Sequence, residues 1–376
     1  MKEYHNRYTA LDVFRGLTIC FMIIVNSPGA GAVPYAPLSH AVWHGFTPTD
    51  LVFPSFLFAV GNALSFSERK FNAMTTGKVF ATIFKRALII FLLGFLMYWF
   101  PFFKVSEQGG IIPFPFSETR VFGVLQRIAL CYLCAALFVR FVHRRYLWWI
   151  GALLLLAYWA ILVIFGTGDP FSLAGNAIAK LDLWLLGARH LYHDHGVIFD
   201  PEGLLSTLPA IVNVLAGYLT GHYLQKKASS AECLKRLVLF GVLAIVLALC
   251  WNPWFPINKK IWSSTFVLLT VGIDLLILPL LVLVSENAAN QPRIWTRFFT
   301  ILGKNPLFIY LLSEIGLVSL GTFPIGRRSC YEWINLDVIQ PLLPGSAGSL
   351  LFALLFMFSC WLVGWFLDKK GIYIRV

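Results

Sequence analysis

Residues 147–166 read LWWIGALLLLAYWAILVIFG, twenty positions without a charged side chain or a proline. A helix rises about 1.5 Å per residue, so about twenty apolar residues cross the hydrocarbon core of a bilayer. Backbone polar groups in lipid must be satisfied within the protein, which leaves helices or closed barrels. The run lacks the period-two alternation of a barrel strand, so it is read as a membrane-spanning helix. Comparable runs lie near 13–30, 48–66, 79–100, 119–142, 204–224, 235–251, 262–284, 298–318 and 348–367, the one at 235–251 being the shortest. The whole chain of 376 residues is 58% hydrophobic and 13% charged, with a mean hydropathy of +0.74. A soluble domain carries roughly a quarter charged residues. A cytosolic globule, a disordered chain and a disulfide scaffold are thereby excluded. The expected architecture is all-α: a polytopic membrane bundle of about ten transmembrane helices forming one domain, 1–376.

The net charge of +12 does not point to nucleic acid, because the basic residues form short clusters between apolar runs instead of one stripe. They alternate by side. Lys2, Arg7, Arg15, Arg69, Lys70, Lys78, Lys85 and Arg86 fall on one face, with Arg140, Arg144, Arg145, Lys226, Lys227, Lys235 and Arg236. Arg293, Arg297, Lys304, Lys369, Lys370 and Arg375 join them, making 21 of the 30 Lys and Arg, against 8 on the other face and Arg127 within a span. Positive loops stay inside, so this face and both termini are expected to be cytoplasmic. Arg15, the apolar run after it and Ala30-Gly31-Ala32 imitate a cleavable signal peptide. Asp12 and Arg15 are out of place in one, and the first span is expected to stay.

Hydrophilic mass is concentrated in the outer loops 101–118, 167–203 and 319–347. His190, His193 and His195 there have zinc-like spacing, but without cysteine partners a solvated loop is the default, and no metal is expected. Cys131 and Cys134 form a CxxC inside an apolar run, without a second ligand pair.

Polar groups at membrane depth are costly, and each is therefore a functional candidate. Asp12 and Arg15, three apart on one helical face, can neutralise each other. Asn26 lies near the outer end of the first span, and His40 and His44 lie in the following outer loop, which holds no Lys or Arg. A neutral imidazole can take a proton near pH 7 and return it to a leaving group. Asp50 either orients such a ring or caps the helix after Thr47-Pro48. Gln126, Arg127, Asn213, Asp274 and Glu314 are further intramembrane polar groups, and Arg127 needs a carboxylate or phosphate partner. Lys259 and Lys260 break the charge rule on the outer face and hint at an anionic partner.

Six blocks in order resemble the heparan-α-glucosaminide N-acetyltransferase family: DVFRG at 12–16, HAVWHG at 40–45 with TDLVFP at 49–54, GVLQRI at 123–128, DPEGLLST at 200–207, PINKKIW at 256–262 and GKNPL at 303–307. The resemblance runs from about residue 7 to 320. It implies a multi-span enzyme that uses cytosolic acetyl-CoA to acetylate a glucosamine amine on the far side of the membrane. Without the luminal domain that precedes the animal enzyme's spans, a bacterial-type relative in the inner (plasma) membrane is expected, and the animal relative implies a homodimer. The family's active-site histidine carries over onto His40, and its asparagine near the end of the preceding span onto Asn26. His44 departs from the pattern, where the family often has asparagine. Asp50 joins His40 and Asn26 as catalytic candidates; Arg15 and Arg127 are candidates for acetyl-CoA. Glu202, Asn258, Lys259 and Glu314 are candidates for the amino-sugar acceptor.

Two rivals follow from the same residues. An O-acetyltransferase of envelope glycans would acetylate hydroxyls without amines. A sugar transporter would use His40 and the buried charges for binding or proton coupling, although no repeat of the transporter kind is visible.

Overall fold

The computed structural model describes residues 9–105, 110–194, 197–227, 230–286 and 294–374. Lys2, Arg7, His195, Arg293 and Arg375, used above, lie outside the described residues. Long helices follow the apolar runs: α1 (Thr9–Asn26), α2 (Pro48–Asn72), α3 (Thr76–Trp99), α4 (Val124–Phe141) and α5 (Leu147–Phe165). The short α6 (Ala177–Leu186) lies in the loop 167–203, before α7 (Thr207–Lys227), α8 (Ala231–Trp251) and α9 (Ser264–Glu286). The chain closes with α10 (Ile294–Lys304), α11 (Pro306–Thr322), α12 (Cys330–Glu332), α13 (Gln340–Leu342) and α14 (Ser346–Lys369). Three two-stranded hairpins, in the long loops 101–118, 167–203 and 319–347, are the only sheets among the described residues.

Eight of these helices are long and apolar enough to cross a membrane, or nine if α10 and α11 count as one span. The run at 298–318 is therefore not one straight helix: α10 and α11 meet at 79°. Proline disfavours the helical conformation of the residue before it, and Asn305 precedes Pro306. The buried Asn305 amide replaces the lost helix bonds, donating to Ile372 O at 3.0 Å and accepting from Ile374 N at 2.8 Å. The α7 helix has 21 residues but is not among the apolar candidates. It carries Asn213, whose fully buried amide donates to Thr270 and accepts from Trp262 Nε1.

Helices sharing an apolar solvent gain nothing from the hydrophobic effect between them, so close backbone packing has to supply the adhesion. A Cβ on Gly61 would lie 1.9 Å from Val214 O, and one on Gly217 2.0 Å from Phe58 O, so α2 and α7 touch backbone to backbone. Gly16 and Gly303 do the same where α1 crosses α10. At one end of the bundle Arg144 bonds Glu68 and Lys304 bonds Asp368, each at 2.6 Å. At the opposite end the C-termini of α1, α3 and α8 meet the N-termini of α2, α4, α7 and α9. The candidate residues other than Arg15 gather there.

Candidate active site

The loop 27–47 ends in a capping box: Thr47 caps α2, Pro48 follows, and Asp50 at the third helical position reaches back to the Thr47 backbone. The fully buried Asp50 caps this helix and also touches His40. Its Oδ2 accepts from Thr47 N at 2.9 Å and Ala41 N at 3.2 Å, while its Oδ1 lies 2.7 Å from His40 Nδ1. A carboxylate oxygen can only accept, so His40 donates through Nδ1–H, and the lone pair of the neutral ring sits on Nε2. His40 itself is partly open, its side chain 42% exposed.

Lys259 lies against this ring. Its Nζ is 3.0 Å from His40 Nε2 and 3.2 Å from Nδ1, 219 residues away in sequence. The loop carrying it is tied down from several sides. Asn258 N donates to Ser263 Oγ at 3.0 Å, Asn258 Oδ1 accepts from Ile261 N at 3.1 Å, and Gly45 N donates to Ile257 O at 2.8 Å. Tyr158 donates to Ile261 O. Trp262 holds a φ of 51°, which a bulky residue adopts only when its surroundings impose it. Fully buried, it packs on Phe53 at 5.1 Å and lies under the Arg127 guanidinium at 4.8 Å. Burial holds the Lys259 ammonium below the usual lysine range; Glu202 and Asp50 pull it up without offsetting that cost.

A cluster of charges adjoins this loop. Arg120 makes two bonds to Asp200, at 2.9 and 2.6 Å, and one to Glu202 at 2.6 Å. Burial pushes the Glu202 carboxyl up, but Arg120, Arg127 and Lys259 together hold it below the usual glutamate range. Arg127, fully buried one turn into α4, donates to Gly203 O at 3.2 Å and to Ser206, while its Nε and Nη1 have no hydrogen-bond partner among the described residues. Its direct partners are thus a carbonyl and a hydroxyl, with Glu202 acting on it through space. Gln126 beside it also lacks hydrogen-bond partners at both amide atoms among the described residues. Asp182, buried with one oxygen on Leu204 N at 3.0 Å, has its pKa raised by burial to about 7.

Asn26 and Glu314 form a separate pair, Nδ2 donating to Oε1 at 3.1 Å. Tyr98 lies between the two groups: its hydroxyl is 3.3 Å from Arg120 Nη1, and both Glu202 and Glu314 act on it electrostatically. Arg15 is not part of this site. It pairs with Asp12, eleven residues and so about 16 Å along α1 from Asn26. The structure thus joins His40, Asp50 and Lys259 directly, brings Glu202, Asn258 and Arg127 to the same loop, and leaves Arg15 at the other end. Sequence reading missed Arg120, whose signal was a basic residue on the charge-poor outer side just ahead of GVLQRI. His190 gives its Nδ1 to Thr119 O at 2.8 Å, and among the described residues no three His, Cys, Asp or Glu side chains converge on a metal position.

Heparan-alpha-glucosaminide N-acetyltransferase of Mus musculus is 27% identical over 366 residues, covering 82% of this chain and 54% of that protein. The Homo sapiens protein of the same name is 26% identical over 365 residues, covering 82% and 53%. The chain thus spans about half the length of the curated relatives it matches. A sequence model described as "Heparan-alpha-glucosaminide N-acetyltransferase, catalytic" matches residues 7–250, which include His40, Asp50, Arg120, Arg127 and Glu202. The chain therefore belongs to the heparan-alpha-glucosaminide N-acetyltransferase catalytic family.

Proposed function

We propose that this protein is a membrane-embedded acetyltransferase that moves the acetyl group of cytoplasmic acetyl-CoA to the amine of a glucosamine-type sugar on the periplasmic side of a bacterial plasma membrane. Both termini lie in the cytoplasm in this reading. The observation that carries it is the contact of His40 Nδ1 with Asp50 at 2.7 Å, which puts the basic lone pair on Nε2 at a partly open position facing Lys259.

The chemistry runs as acyl transfer by general-base catalysis. The acceptor's neutral amine attacks the thioester carbonyl carbon as His40 Nε2 removes the proton that the nitrogen sheds. The carbon–sulfur bond breaks, and the coenzyme thiolate takes the proton back from the imidazolium, leaving an amide and a free thiol. Asp50 fixes the ring and stabilises its charged form. The Lys259 ammonium lies against the His40 ring, 3.0 Å from Nε2 and 3.2 Å from Nδ1, so a thioester carbonyl brought to His40 meets an N–H donor that stabilises the developing oxyanion.

The donor's amide-rich pantetheine arm needs hydrogen-bond donors and acceptors inside the bundle. The unpartnered Arg127 Nε and Nη1 and the unpartnered Gln126 amide supply both kinds near the His40 end. Arg15, at the opposite end and with a buried unpartnered Nε, is assigned to the phosphate end of the coenzyme. Glu202, Asn258 and the Asn26–Glu314 pair are assigned to the acceptor.

The test is transfer of labelled acetyl from acetyl-CoA to glucosamine by the purified protein in detergent, beside His40→Ala. N-acetylglucosamine from the wild type and none from the variant is the expected result. Equal product from both overturns the role of His40. Acetylation of hydroxyls alone would favour the O-acetyltransferase, and sugar movement without covalent change the transporter.

A further inference from the structure

Beside the His40 site the outer face holds a cavity of about 310 Å³ that the chemistry above does not use. It lies between the two chain segments that build that site: Val42, Trp43 and His44 on one side, Lys260 on the other, with Asp169 and Ser172 closing it. Asn258 Nδ2 donates to His44 Nδ1 at 3.3 Å, so the segments are bonded to each other at the cavity wall. This volume sits at the lower end of small-ligand sites, roughly 300–1,000 Å³, which suits one sugar ring.

The walls are preorganised. Trp43 Nε1 donates to Phe171 O at 2.9 Å, and its ring meets Phe199 edge-on at 5.5 Å. Asp169 Oδ1 accepts from Phe171 N at 3.0 Å, and Ser172 Oγ donates to Asp169 O at 2.7 Å. A fixed indole covers the apolar C–H face of a pyranose at little entropic cost. The polar complement is close to electrically balanced. Asp169 and Lys260 carry opposite charges, and burial holds the His44 pKa below the usual histidine value, with Asp169 opposing that only in part. His44 therefore contributes a neutral ring; with Nδ1 accepting from Asn258, its Nε2–H is the donor it can offer a hydroxyl.

We infer that this cavity is a subsite for a second, uncharged sugar ring adjacent to the glucosamine acetylated at His40, which makes the physiological acceptor a disaccharide or longer neutral oligosaccharide. This rests on the proposed acetyltransferase reading and extends it to the acceptor's class. A uronate or sulfated second ring would place an anion beside Asp169, with Lys260 the one Lys or Arg among the described lining residues to balance both.

The experiment compares three acceptors: glucosamine, glucosamine β-1,4-linked to N-acetylglucosamine, and glucosamine linked to a uronic acid. The neutral disaccharide is expected to have a kcat/KM about tenfold above glucosamine, carried by KM, with the uronate no better than the monosaccharide. Val42 is 89% exposed, so Val42→Trp fills the cavity without disturbing packing, and should bring the disaccharide-to-monosaccharide ratio to about one. Equal kcat/KM for the monosaccharide and the neutral disaccharide in the wild type, or equal losses for both in Val42→Trp, overturns the subsite. Calorimetric titration of the neutral disaccharide separates the two readings. If no acceptor is acetylated, the acetyltransferase proposal falls; loss of disaccharide binding on Val42→Trp still upholds the subsite, and unchanged binding removes it.

Discussion

Replacing Asp50 by asparagine changes one atom, and the hydrogen bonds around it determine the outcome. The Oδ2 position receives two backbone donors, Thr47 N and Ala41 N, and the Oδ1 position faces His40 Nδ1. An asparagine can place its oxygen at either position. With its NH2 toward the two backbone N–H groups, both would lose their acceptor, at about 1–3 kcal/mol each. The oxygen therefore stays on the backbone, and the NH2 faces His40. A donor in that place forces His40 Nδ1 to accept, which moves the ring proton to Nε2 and abolishes the base. We expect kcat for labelled acetyl transfer to fall about 10³-fold, equivalent to roughly 4 kcal/mol of barrier. The thermal midpoint should move little, because the capping bonds to Asp50 Oδ2 survive. An Asp50→Asn protein that keeps a tenth or more of wild-type kcat would refute the tautomer argument.

Lys259→Met should lower kcat by about 10²–10³, as loss of an oxyanion donor does, with Lys259→Arg recovering part of it. Because the ammonium is the active form and its pKa is held down, wild-type activity should decline with rising pH below the ordinary lysine range; that alkaline limb should be missing in Lys259→Met, and an unchanged profile would exclude the role. Asp182 binds its proton more tightly when folded, with a pKa of about 7 against 3.8. Its contribution to stability is full below about pH 4 and lost as pH rises through 7, about 4 kcal/mol in all. Asp182→Asn should flatten the melting temperature across that window, and an undiminished slope would show that the carboxyl ionises freely in the fold. Gly61→Ala drives a methyl into Val214 O and should cost at least about 1–3 kcal/mol, seen as a lower midpoint in detergent; an unchanged midpoint would mean α2 and α7 are not in backbone contact.

The helices were legible because lipid leaves a chain so few ways to satisfy its backbone, and an uninterrupted apolar run such as 147–166 has a single reading. The run at 298–318 carried Lys304-Asn305-Pro306 inside it, but the sharp turn there is maintained by the distant backbone of Ile372 and Ile374. Within the site, His40 and Asp50 were legible together because ten residues and a capping signal separate them. Lys259 was singled out for breaking the charge rule and Glu314 as a costly polar group in a span, but their contacts with His40 and Asn26, across 219 and 288 residues, follow from tertiary packing that no local pattern encodes. Arg120 was overlooked for a related reason: its importance lies in Asp200 and Glu202, 80 and 82 residues away.

Transfer across a sealed membrane tests the central claim most directly. Proteoliposomes of the wild type and of His40→Ala, with glucosamine trapped inside and labelled acetyl-CoA added outside, are assayed for labelled N-acetylglucosamine in the lumen. The expected result is lumenal product from wild-type molecules oriented with Glu68, Arg144 and Lys304 outward, and none from His40→Ala. Product formed only when donor and acceptor share one side, or formed equally by His40→Ala, would contradict the account.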